Sequence, residues 1–176
     1  GATMYYGEKL NALTHVVGAV LALAGAIVVV VLASLGGDPW KVVSVAIYGV
    51  TLVSLYSISG LYHSLRGRPK DILRKLDHQS IYLLIAGSYT PFCLVTLRGP
   101  WGWSLLGVVW GLAVLGGLQD LRPRNRARIL SVVIYLLMGW TAVVALGPLL
   151  RALGPAGFAW LAAGGLFYIV GIVFFA

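Results

Sequence analysis

The residues able to do chemistry are few and fall in three short stretches. GEKLNALTH supplies Glu8, Asn11 and His15; SGLYHS supplies Ser59 and His63; LDHQS supplies Asp77 and His78. On a helix, Glu8, Asn11 and His15 share one face, being three and four residues apart, and so do Ser59 and His63. Imidazole nitrogens suit zinc, and a catalytic zinc keeps three protein ligands and a water. Bound zinc makes that water a nucleophile near neutral pH. A nearby aspartate could order or deprotonate it, and a serine hydroxyl could steady the developing oxyanion. The competing reading is structural: a histidine at a helix end often has only a hydrogen bond to make, and Asp77 suits a helix N-cap.

The elements that must position these residues are read from composition. The chain has 176 residues, 60% hydrophobic and only 10% charged, with a mean hydropathy of +0.92. A soluble domain carries about 25% charged residues, so lipid is the solvent for most of this chain. The apolar residues form six blocks: 12–34, 42–62, 77–97, 101–118, 129–150 and 158–176. A helix needs about 20 residues to cross a bilayer. The blocks are apolar all round, which excludes the alternation of a membrane β-barrel. The expected fold is therefore all-α: a polytopic transmembrane helix bundle in one domain, 1–176. A short amphipathic piece, DILRKL, is expected to lie on the headgroups before the third span. Pro91 should bend that span, and Gly107, Gly111, Gly116 and Gly117 should let the fourth approach its neighbours closely. Cys93 is the single cysteine, which excludes an intramolecular disulfide.

The net charge is +8, but its distribution points to topology rather than nucleic acid. Arg66, Arg68, Lys70, Arg74 and Lys75 lie between the second and third blocks, and Arg122, Arg124, Arg126 and Arg128 between the fourth and fifth. The other connectors hold only Lys41, Arg98 and Arg151. By the positive-inside rule the two basic loops and the amino terminus are cytoplasmic. His15, His63 and His78 then share one depth with Glu8, Asn11, Ser59 and Asp77. The fifth and sixth blocks hold no ionisable residue inside them, so they read as scaffold. A transporter reading finds no mid-membrane ionisable chain to support it.

GEKLNALTH, SGLYHS and RKLDHQSIYLLIAGSYTPF together resemble the bacterial hemolysin III proteins, which belong with the progestin and adipoQ receptor family and, more distantly, the alkaline ceramidases. The resemblance covers essentially the whole chain. It implies seven membrane helices, six of them here, a cytoplasmic amino terminus and a zinc site near the cytoplasmic side of the plasma (inner) membrane. It implies His63 as a metal ligand, Asp77 and Ser59 as catalytic residues, and Glu8, Asn11 and His15 as a supporting motif. The family's other two zinc ligands form an HxxxH on its seventh helix. No HxxxH occurs up to Ala176, so the expectation is that they lie beyond it, with His15 or His78 as substitutes within this chain. The resemblance further implies membrane lipids as partners and a sphingolipid or fatty-acyl amide as substrate. The alternative is a non-enzymatic cytolysin or lipid-sensing protein whose polar cluster is structural.

Overall fold

The computed structural model describes residues 7–121 and 127–175. Six α-helices occur among them, and no strand. They are α1 (Lys9–Leu35), α2 (Pro39–Ser64), α3 (Arg68–Pro91), α4 (Pro100–Asp120), α5 (Ala127–Val144) and α6 (Leu146–Phe175), with a π-helical segment, Phe92–Thr96, continuing α3. Helices α1, α2, α4 and the stretch Leu146–Gly171 of α6 are each long and apolar enough to cross a membrane. Successive helices pack side by side: α1 on α2, α2 on α3, α3 on α4, α4 on α5 and α5 on α6. The all-α bundle expected from composition is the fold observed. Arg122, Arg124, Arg126 and Ala176 lie outside the described residues.

Local chemistry explains most helix ends. Asp38 caps α2, its Oδ1 accepting from the Trp40 N–H at 2.9 Å, and Pro39 takes the first helical position, where its missing N–H costs nothing. Gly67 precedes α3 with φ 69°, a conformation that disfavours any side chain, and Pro69 follows in the first turn. The separate amphipathic piece expected before the third span is instead the first half of α3, continuous with it. Asp77 therefore lies well inside a helix that starts at Arg68; the N-cap reading of Asp77 is wrong. Pro91 ends the α-helical part of α3, and the chain continues as the π-helical turn, as expected where a proline removes a donor.

The fifth block stops short of its expected end at residue 150. Pro148 has no N–H to give the Val144 carbonyl, so α5 ends at Val144 and a new helix begins at Leu146. That helix is broken at Gly154 (φ 66°), ahead of Pro155. The core lies between α3, α4 and α5, where Tyr82, Ala86, Val109, Ala113, Tyr135 and Met138 are buried together. Among the α4 glycines, Gly116 packs on the Tyr82 ring, whereas Gly107 and Gly111 face open space. At the opposite end of α2 from His63, Arg98 lies 4.9 Å over the Trp40 ring and Trp40 meets Trp103 edge-on. This aromatic grouping suits a membrane interface.

Candidate functional site

The polar end of the bundle is built in two layers. In the outer layer, Glu8 sits just before α1, His63 on the last turn of α2 and Lys70 on the first turn of α3. His63 Nδ1 lies 3.1 Å from Glu8 Oε2, and Lys70 Nζ donates to the same oxygen at 2.5 Å. Lys70 also donates to the Tyr62 carbonyl at 3.0 Å and lies 4.4 Å over the Tyr62 ring. The His63, Glu8 and Lys70 side chains are 17%, 24% and 14% exposed, so the pairing is largely shielded. Burial raises the Glu8 pKa, but the hydrogen bonds and charges of Lys70 and His63 outweigh it, and the carboxyl is held below its ordinary value of 4.5.

The inner layer follows from helix periodicity. Residues seven apart are about two turns and 10 Å apart on one face. Asp77 thus lies below Lys70 on α3, and His15 about as far below Glu8 on α1. The His15 ring meets the His63 ring edge-on at 5.5 Å and the Tyr56 ring at 5.8 Å. Asp77 and His63 are both within electrostatic reach of His15. His15 Nδ1 is buried with no hydrogen-bond partner among the described residues. One turn below His63 on α2, Ser59 is 3% exposed.

A carboxylate only accepts hydrogen bonds, so the Glu8 contact places a proton on His63 Nδ1. In the neutral ring the lone pair is then on Nε2. This is how outer carboxylates orient metal-binding histidines. Metal geometry itself is incomplete. Among the described residues no three His, Cys, Asp or Glu side chains converge on one point, and two imidazoles fall short of the three ligands of a catalytic zinc. These residues could supply part of such a site.

Of the residues picked out by sequence, Glu8, His15, His63 and Asp77 come together and Ser59 lies directly beneath them. Asn11 is exposed. His78 follows Asp77 round the helix, and its backbone carbonyl receives the Tyr135 hydroxyl from α5 at 3.2 Å. Lys70 was missed, because a lysine in a basic loop reads as topology alone. Its spacing of seven from Asp77 was the available signal. Also missed was a second buried polar cluster, Gln119, Asp120 and Ser131, at the end of α4.

An all-α bundle with membrane-length helices and a shielded polar cluster at one end is the build of a polytopic membrane protein. The chain belongs to the haemolysin-III-related family, whose model matches residues 4–176. It is 43% identical over 176 residues to Hemolysin-3 of Bacillus cereus, covering 98% of this chain and 80% of that protein. Against the Hemolysin-3 homolog of Bacillus subtilis (strain 168) the identity is 41% over 169 residues, covering 96% and 79%. A human protein, Monocyte to macrophage differentiation factor, is 28% identical over 177 residues, covering 97% and 71%.

Proposed function

We propose that this chain carries part of a zinc-dependent hydrolase site for amide-linked lipids, on the cytoplasmic side of the plasma (inner) membrane. The observation that supports it is the Glu8–His63 contact, which sets the imidazole tautomer a metal ligand needs. His63 Nε2 and the partnerless His15 Nδ1 are the candidate nitrogen donors, and the remaining ligands are assigned outside the described residues. Bound zinc would supply an acidified water. Asp77 would order that water and take its proton, and Ser59 would donate a hydrogen bond to the substrate carbonyl. The apolar faces of α1 and α2 would admit a sphingolipid or fatty-acyl amide from the bilayer. Arg66, Arg68, Lys70, Arg74 and Lys75 lie at the same end as Glu8, which supports a cytoplasmic site.

One observation favours a second reading. Lys70 occupies the Glu8 oxygen that His63 also uses, so the cluster already serves as a staple joining three helix ends. In that case the protein is a cytolysin or lipid sensor without catalysis. Zinc content and hydrolysis of a short-chain ceramide, measured on purified full-length protein, separate the two. His63→Ala is expected to abolish both. Stoichiometric zinc retained by that variant would refute the site. Liposome leakage unchanged by His63→Ala and Asp77→Asn, without hydrolysis, would favour the second reading.

A further inference from the structure

The second polar cluster has a feature its own hydrogen bonds leave unresolved. Gln119 Nε2 donates to Asp120 Oδ1 at 2.6 Å and to Ser131 Oγ at 2.7 Å, and Ser131 Oγ donates to the same Asp120 Oδ1 at 2.5 Å. These donors converge on one carboxylate oxygen. The other, Asp120 Oδ2, is buried and has no hydrogen-bond partner among the described residues. The Tyr82 hydroxyl faces Ser131, Gln119 and Tyr135 with Asp120 in electrostatic reach, yet it makes no hydrogen bond of good geometry. Tyr82 is 1% exposed, Ser131 6% and Gln119 8%. Among the described residues a carboxylate oxygen and a phenol oxygen are thus both buried and unsatisfied in one network, an arrangement that disfavours the empty site.

We propose that Asp120 Oδ2 and the Tyr82 hydroxyl, the unsatisfied oxygens of this network, form a binding site for a small monovalent cation of sodium's class, seated between α3, α4 and α5. The atoms offered are all oxygen, which selects hard cations over zinc or copper. A single carboxylate balances one charge, whereas calcium takes about 6–8 oxygen ligands. Asp120 is also the last residue of α4, where the helix dipole adds partial negative charge. The bound ion would tie α3 to α4 and α5 across the core. The site shares no residue with the Glu8–His63 cluster and does not depend on the reading given to it.

The test is the melting temperature of the full-length protein in lipid nanodiscs, in sodium chloride against choline chloride at equal concentration. Sodium is expected to raise it in a saturable way, by about 3–6 °C at ten times its Kd. Asp120→Asn should lose the response and Tyr82→Phe should shift it to higher sodium. Equal melting in the two salts would leave a bridging water as the occupant and overturn the proposal. So would a full response retained by Asp120→Asn. The comparison on the unmodified protein decides the matter even where a variant fails to fold.

Discussion

Replacing Glu8 with Gln removes the negative charge that Lys70 and His63 share. Lys70 would keep its Tyr62 carbonyl and ring contacts but lose the charge of the carboxylate it meets at Glu8. His63 and Lys70 would then share one neutral amide oxygen in place of a charged carboxylate. An exposed ion pair contributes about 0–1 kcal/mol, while breaking a fully buried one costs about 3–5 kcal/mol. Lys70 and Glu8 are 14% and 24% exposed, so an intermediate loss of about 2 kcal/mol follows. For a chain this long that corresponds to a fall of about 4–8 °C in Tm, measured by thermal unfolding in nanodiscs. The pH dependence is fixed by the direction of the shift. A carboxyl held below 4.5 when folded contributes stability that is fully present above that value and lost as pH falls through the lowered one. The gap between Glu8→Gln and the unmodified protein should therefore be constant at neutral pH and close in acid. Glu8→Gln with Lys70→Met should recover part of the loss, because the shielded ammonium is then removed together with the carboxylate charge that balanced it. Melting within 1 °C of the unmodified protein at pH 7, on the order of the scatter expected of surface changes, would refute this account. A gap undiminished in strong acid would do the same.

Two further outcomes follow from packing. A Cβ on Gly102 would meet the backbone carbonyls of Cys93 and Leu97, whereas Gly107 and Gly111 have open space. Gly102→Ala should lower Tm by several degrees, while Gly107→Ala should leave it unchanged or raise it, since alanine is favoured over glycine in a helix by about 1 kcal/mol; equal melting of the two variants would contradict the packing. The Tyr89 hydroxyl shares its one proton between the Met138 and Gly139 carbonyls, 2.7 and 2.9 Å away, and accepts from the Ala142 N–H at 3.1 Å. Tyr89→Phe should cost about 1–3 kcal/mol, and a calorimetric or thermal-shift measurement showing no loss would remove Tyr89 as the tie between α3 and α5.

Much of this was legible because lipid leaves the chain few options. Apolar block length and the absence of alternation were enough for an all-α bundle. Shared depth grouped Glu8, Asn11, His15, Ser59, His63, Asp77 and His78; of these, Asn11 is exposed and His78 gives its backbone carbonyl to Tyr135. Helix boundaries were less legible. Hydropathy follows the apolar layer, but α3 extends beyond it by a basic half that starts at Gly67 and Pro69. That extension is why Asp77 read as a cap. The Asp120 cluster was invisible for a related reason: an acid between an apolar block and an arginine-rich loop looks like part of the loop. Only the packing of α3 and α5 against α4 shows that Gln119 and Ser131 enclose it.

Lys70 changes what the polar cluster means. Charge counting assigns it to orientation, one of five basic residues in a loop. In the structure it neutralises the carboxylate that orients His63, and so fixes where α3 begins relative to α1. The register matters for the proposed site, because Asp77 lies two turns further along the face that carries Lys70. Rotating α3 by one residue would turn both by about 100°, taking the ammonium from Glu8 and the carboxylate from His15 together. The outer ion pair is therefore also the element that aims the inner carboxylate. A lysine that could only be counted in the sequence has a positioning role in the folded protein, and it acts through the one contact, to Glu8, that His63 shares.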